Sequence, residues 1–145
     1  MRILAMDVGD RRIGMAISDE LGWTAQGINT LERRNQEYDM EQIANTIKLY
    51  DPIKLIIGLP RNMNGSIGPQ EKKVKKFGDL LSKKVFHGDI VYWDERLTSV
   101  MADRIMLEAD MSRKRRKTNV DMMSAVIILQ SYLDYLSNQK DEKGV

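Results

Sequence analysis

The chain has 145 residues, enough for one domain with a buried core, and its 23 basic and 21 acidic side chains leave a net charge of only +2. It has no cysteine, which excludes a disulfide framework, a thiolate zinc site and a cysteine nucleophile, and which suits a reducing compartment. The longest uninterrupted apolar run, residues 125–129, is far short of a membrane span, and the amino terminus shows no secretion-signal layout, so a cytoplasmic protein with no membrane partner is expected.

Residues 3–18 are two apolar runs joined by a short polar bend, the pattern of a strand, a tight turn and a second strand. Ile3, Leu4, Ala5 and Met6 are apolar without alternation, as in a central strand covered on both faces, and Asp7 stands where that strand leaves the core. An ionised carboxylate there costs several kcal/mol unless a cation or hydrogen-bond donors sit beside it. Gly9 lets the backbone pass close to whatever Asp7 binds. A turn aspartate bonded to its own loop accounts for the same residue, so this segment leaves both readings open.

Residues 23–31 read as a third strand closing a meander. Asp39 with Gln42 has the form of a capping box, and Met40, Ile43, Ala44 and Ile47 follow at helical spacing until Asp51 and Pro52. Residues 53–58 form a buried strand, and the Pro-, Asn- and Gly-containing segment 59–66 is a loop past its carboxyl end. Gly68 and Pro69 open a second helix with Val74, Phe77, Leu81 and Val85 as its buried stripe; Lys72, Lys73, Lys75, Lys76 and Lys83 make the rest of it basic.

Residues 89–93 give a fifth strand that runs directly into Asp94 and Glu95. Thr98 is placed to cap a further helix carrying Ala102, Ile105, Met106 and Ala109. After the basic run Arg113, Lys114, Arg115, Arg116 and Lys117, either Thr118 or Asn119 can cap a last helix ending near Leu136. Asp121 falls in its first turn, on the face of Ala125, Ile128 and Tyr132. The order predicts an α/β fold, a mixed five-stranded sheet with helices on both faces, over residues 1–138 with a polar tail at 139–145.

Ligands of such sheets collect outside the carboxyl ends of the strands, where Asp7, Glu95 and Asp121 could meet. Three oxygen donors, with the single histidine, His87, at the far end of its strand, suit Mg²⁺ or Mn²⁺ and metal-dependent phosphodiester hydrolysis. Each acid also has a plain reading. Glu95 can pair with Arg96 or Arg12 at the surface, and Asp121 can complement the positive end of its helix. The basic run, with the lysines of the second helix, can neutralise several phosphates, although such a run is also what a solvated loop looks like. Arg11, Arg12, Arg61, Asn62 and Arg96 join residues 113–117 as candidate nucleic-acid contacts. Trp93, Tyr92 and Met63 could stack on bases or lie in the core.

Four segments together, residues 7–16, 58–66, 94–98 and 120–129, resemble the YqgF family of pre-16S ribosomal RNA nucleases, also described as Holliday junction resolvase-like. The resemblance runs nearly end to end. It implies a ribonuclease H-like fold, trimming of the 5′ end of precursor 16S ribosomal RNA, and Asp7, Glu95 and Asp121 as metal-binding catalytic acids. Asn64 departs from the aspartate of many relatives, and no acid ends the strand at Ile57, where ribonuclease H-like enzymes often place a ligand. Three alternatives stand beside this reading: a Holliday junction resolvase working as a dimer on branched DNA, a non-catalytic RNA-binding factor on ribosomal particles, and an actin-like ATPase. The last needs two lobes, for which 145 residues scarcely suffice.

Overall fold

In the computed structural model, residues 1–60, 64–95 and 113–143 are described, the side chains of 113–120 and 140–143 excepted. The unalternating apolar residues at the start become β1 (Ile3–Val8), the centre of a five-stranded sheet of order β3-β2-β1-β4-β5. Its hairpin partner β2 (Arg12–Ser18) and then β3 (Ala25–Glu32) are antiparallel, while β4 (Lys54–Leu59) and β5 (Asp89–Asp94) run parallel to β1. The predicted mixed sheet and its five strands are therefore present.

Side-chain alternation sorts this sheet into two cores. Leu4, Met6, Ile13, Met15, Leu55 and Ile57 face α1 (Gln36–Tyr50) and α2 (Pro69–Lys84), which bring Met40, Ile43, Val74, Phe77 and Leu81. On the opposite face, Ile3, Ala5, Ala16 and Ile56 meet Ala125, Ile128, Leu129, Tyr132 and Leu133 of α3 (Arg113–Lys143). Asp7, two residues beyond Ala5, belongs by alternation to the α3 face, and Glu95, two beyond Trp93, to the same one.

Two helix starts differ from expectation. α1 is capped by Asn35, whose side chain accepts from the Tyr38 amide at 2.8 Å, one turn ahead of the predicted Asp39 box. Asp39 is instead buried, with Arg33 Nε donating to it at 3.0 Å and the Arg34 amide at 3.1 Å, a pairing that no local pattern announces. The last helix does not begin at a Thr118 or Asn119 cap, because residues 113–117 already form its first turns; nor does it stop near Leu136, since it runs to Lys143 through part of the predicted tail. Arginine and lysine are good helix formers, so a basic run does not by itself break a helix. Thr98 and the helix predicted after it lie outside the described residues, as do Arg61, Asn62, Met63 and Arg96.

Candidate active site

β1 and β5 are separated by β4, and both deliver a carboxylate from the same end and face of the sheet. What lets those carboxylates meet is the residue between them. Gly58 of β4 pairs with Trp93 of β5, and a Cβ placed on it would stand 2.6 Å from Glu95 Oε1 and 2.5 Å from Ile128 Cδ1. The missing side chain is the space through which Glu95 reaches Asp7.

Glu95 and Asp7 share a hydrogen bond, with the glutamic acid as donor and the aspartate as acceptor. Burial first, then the bond and the charge of Asp7, push Glu95 up to about 9, so it is neutral at physiological pH. Asp7 is also raised, chiefly by burial, and further by the negative charge of Asp121 against the lowering effect of bonds from Glu95 and Ser124. Two acids in one desolvated place hold a proton between them, where a divalent cation would neutralise both.

The third acid is paired with a cation. α3 crosses close above the hairpin because Gly14, the register partner of Asp7, carries no side chain; a Cβ there would fall on the Asp121 backbone carbonyl. Asp121 nevertheless turns its carboxylate to Arg12, whose Nε stands 3.0 Å from Oδ2. Among the described residues no three histidine, aspartate or glutamate side chains are grouped closely enough to hold a metal ion. Of the three acids expected to converge, Asp7 and Glu95 share a hydrogen bond and Asp121 is in charge contact with Asp7. Arg12 pairs with Asp121 rather than with Glu95, so the plain surface pairing of Glu95 with Arg12 is corrected.

Arg11 is exposed in the β1–β2 turn and Arg12 is half exposed beside Asp121, while the helical backbone of residues 113–117 leads into the turn that carries Asp121. Trp93 and Tyr92 are partly buried, and Trp93 packs edge-on to Tyr132 with centroids 5.4 Å apart. Three contributors went unassigned in the sequence reading. Ser124, one turn beyond Asp121, donates to Asp7. Gly58 was visible as a glycine inside an apolar strand, a sign of close approach. Arg33 had no local sign: its guanidinium binds the Gly9 carbonyl at 2.8 Å, which ties the turn behind Asp7 to buried Asp39.

A mixed sheet of this strand order with helices on both faces is the ribonuclease H-like fold of the junction resolvases. T. thermophilus RuvC, solved with a Holliday junction substrate, superposes with a TM-score of 0.65 over 96% of each chain at 9% identity. The fowlpox virus resolvase, solved with Holliday junction DNA, does so with a TM-score of 0.55 at 15% identity, over 94% of this chain and 99% of that one.

The chain belongs to the RuvX family, described as Holliday junction resolvase, whose profile matches residues 1–135, and the YqgF resemblance is upheld. A Clostridium tetani protein named "Putative pre-16S rRNA nuclease" is 52% identical over 139 residues, covering 96% of this chain and 100% of that protein. A Clostridium botulinum protein of the same name is 54% identical over 137 residues, covering 94% and 99%. No described helix is long and apolar enough to cross a membrane.

Proposed function

We propose that the protein is a Mg²⁺- or Mn²⁺-dependent endonuclease of structured nucleic acid, with the 5′ end of precursor 16S ribosomal RNA in the cytoplasm as its substrate. The observation that carries this reading is the partly buried Asp7–Glu95 pair, hydrogen-bonded to each other at the carboxyl ends of two parallel strands. Hard carboxylate oxygens that repel once ionised fit a divalent cation, and Asp7 and Glu95 would hold it, with Asp121 joining by exchanging Arg12 for the ion. The ion, when bound, supplies an activated water and charge stabilisation at the leaving oxygen.

The chain's own residues do the remaining work. Ser124 and the Gly58 gap orient Asp7 and Glu95, while Arg11, Arg12, Arg61, Asn62, Arg96 and residues 113–117 hold the phosphates around the scissile bond. The names of the bacterial relatives support RNA as substrate. The family description supports the second reading, cleavage of branched DNA, for which a homodimer would bring two sites.

The test is one incubation series, with leader-extended ribosomal RNA and a four-way DNA junction, each with and without Mn²⁺, for the native chain and Asp7→Asn. Cleavage of the RNA only with metal, lost in Asp7→Asn while binding persists, is the expected result. Full cleavage by Asp7→Asn ends the nuclease reading in favour of a non-catalytic assembly factor on ribosomal particles. Preferential junction cleavage, with a dimeric mass by light scattering, selects the resolvase.

A further inference from the structure

α2 lies on the opposite side of the sheet from the Asp7–Glu95 pair, yet it carries the six lysines Lys72, Lys73, Lys75, Lys76, Lys83 and Lys84, all exposed. Against them stand two acids, Glu71, which is fully buried, and Asp79. The helix alone therefore outweighs the +2 of the whole chain. The charge also has a shape. Lys73, Lys76 and Lys83 line a groove of about 420 Å³ between α2 and Gln36 of α1, with Phe77 and Leu80 also lining it. Asp79 is its one acid and lies within a turn of both Lys76 and Lys83.

One end of this row touches the rim of the site. Lys73 Nζ is 3.5 Å from Asp10 Oδ1, in the turn that follows Asp7. From Lys73 to Lys83 the helix advances about 15 Å, a length over which a duplex presents on the order of nine phosphates. A line of ammonium groups at helical spacing along a shallow trough complements a phosphate backbone. The geometry is more demanding than that, however, because the two faces lie on opposite sides of a sheet. Duplex nucleic acid bends smoothly only over about 150 base pairs, so one straight helix cannot lie along the α3 face and the α2 face together.

We infer that the α2 groove is a docking face for a second duplex arm, so that the substrate is branched or sharply bent, one arm crossing the Asp7–Glu95 rim and another running down α2. This rests on the nucleic-acid reading of the site, and it narrows the substrate class to junctions and to stems with a sharp corner. Unbranched single strands would use the rim alone.

The experiment compares the native chain with the triple variant Lys73→Gln, Lys76→Gln, Lys83→Gln and with the triple arginine variant at the same positions. Binding is read without divalent metal by fluorescence anisotropy, across a potassium chloride series, for a four-way DNA junction, a leader-bearing RNA stem and a ten-nucleotide single strand. Glutamine is a good helix former, so folding should persist and is checked by circular dichroism.

Loss of three phosphate contacts should reduce the salt slope by about 2–3 for the junction or the stem, with affinity at least tenfold weaker near physiological salt. The single strand should change less than twofold, and the arginine variant should bind as the native chain does. An unchanged slope on both structured probes overturns the inference, as does an equal loss on the single strand. Because cleavage is not the readout, inactivity of the native chain would sink the nuclease reading while leaving this result to stand or fall by itself.

Discussion

Glu95 keeps a proton that a solvent-exposed glutamate would release, and that fact sets the sign of a pH effect. Below its ordinary value of 4.5 the group is neutral whether the chain is folded or not; between there and about 9 the folded chain holds a proton that the unfolded chain has lost. Stability of the metal-free protein should therefore fall across that window as pH rises and level off above it, since the folded state binds the extra proton. Melting temperatures in chelator from about pH 5 to 9 should decline for the native chain and stay flatter for Glu95→Gln; parallel curves would refute the bonded pair. The two glycines beside the acids separate fold from site. Gly14→Ala drives a methyl into the Asp121 backbone and should cost several degrees of melting temperature, whereas Gly58→Ala meets the ends of the flexible Glu95 and Ile128 side chains. The latter variant should remain folded and lose most of its Mn²⁺ affinity by calorimetry, and retained affinity would contradict the role given to the gap. Asp7 and Glu95 were legible because acids at strand ends interrupt apolar runs. Their bond was not, because it depends on the order β1-β4-β5 and on an absent side chain.

At the level of elements, the strands were read almost to the residue from their apolar runs and turn residues, while the helix starts were not. A capping box at Asp39 and Gln42 is a local rule, and it lost to Asn35 because Asp39 has a tertiary partner in Arg33. That pair braces the β1–β2 turn against α1: Arg33 binds Asp39 and the Gly9 carbonyl and lies over the Phe77 ring at 5.0 Å. Arg33→Met leaves Asp39, only 2% exposed, without its cation, and should cost about 3–5 kcal/mol in urea unfolding. The double variant Arg33→Met, Asp39→Leu should recover most of that loss, since paired replacement by apolar groups is often neutral. Failure of the second change to restore stability would mean that the turn contact, not the buried charge, carries the cost. Residues 113–117 were misread for a related reason: charge density suggested a solvated loop, yet helix propensity and continuity with the packed residues from Ala125 onward make them part of α3.

Across the whole molecule the sheet divides two cores that resemble each other in composition but differ in consequence. Ile43 of α1 is fully buried on one side and Ile128 of α3 is 1% exposed on the other, so truncation of either to alanine should cost about 2–5 kcal/mol. Ile43 belongs to the core across the sheet from the α3 face, whereas Ile128 Cδ1 fills the space over Gly58 immediately beside Glu95. A void opened there gives the Glu95 side chain room to leave Asp7, and the orientation of the pair is lost before the fold is. Ile43→Ala should therefore bind Mn²⁺ as the native chain does when assayed by electron paramagnetic resonance well below its melting temperature. Ile128→Ala, equally destabilised, should bind at least several-fold more weakly. Equal affinity in the two variants would mean that the pair is set by the strands alone, and a matching loss in both would trace the defect to global loosening of the sheet.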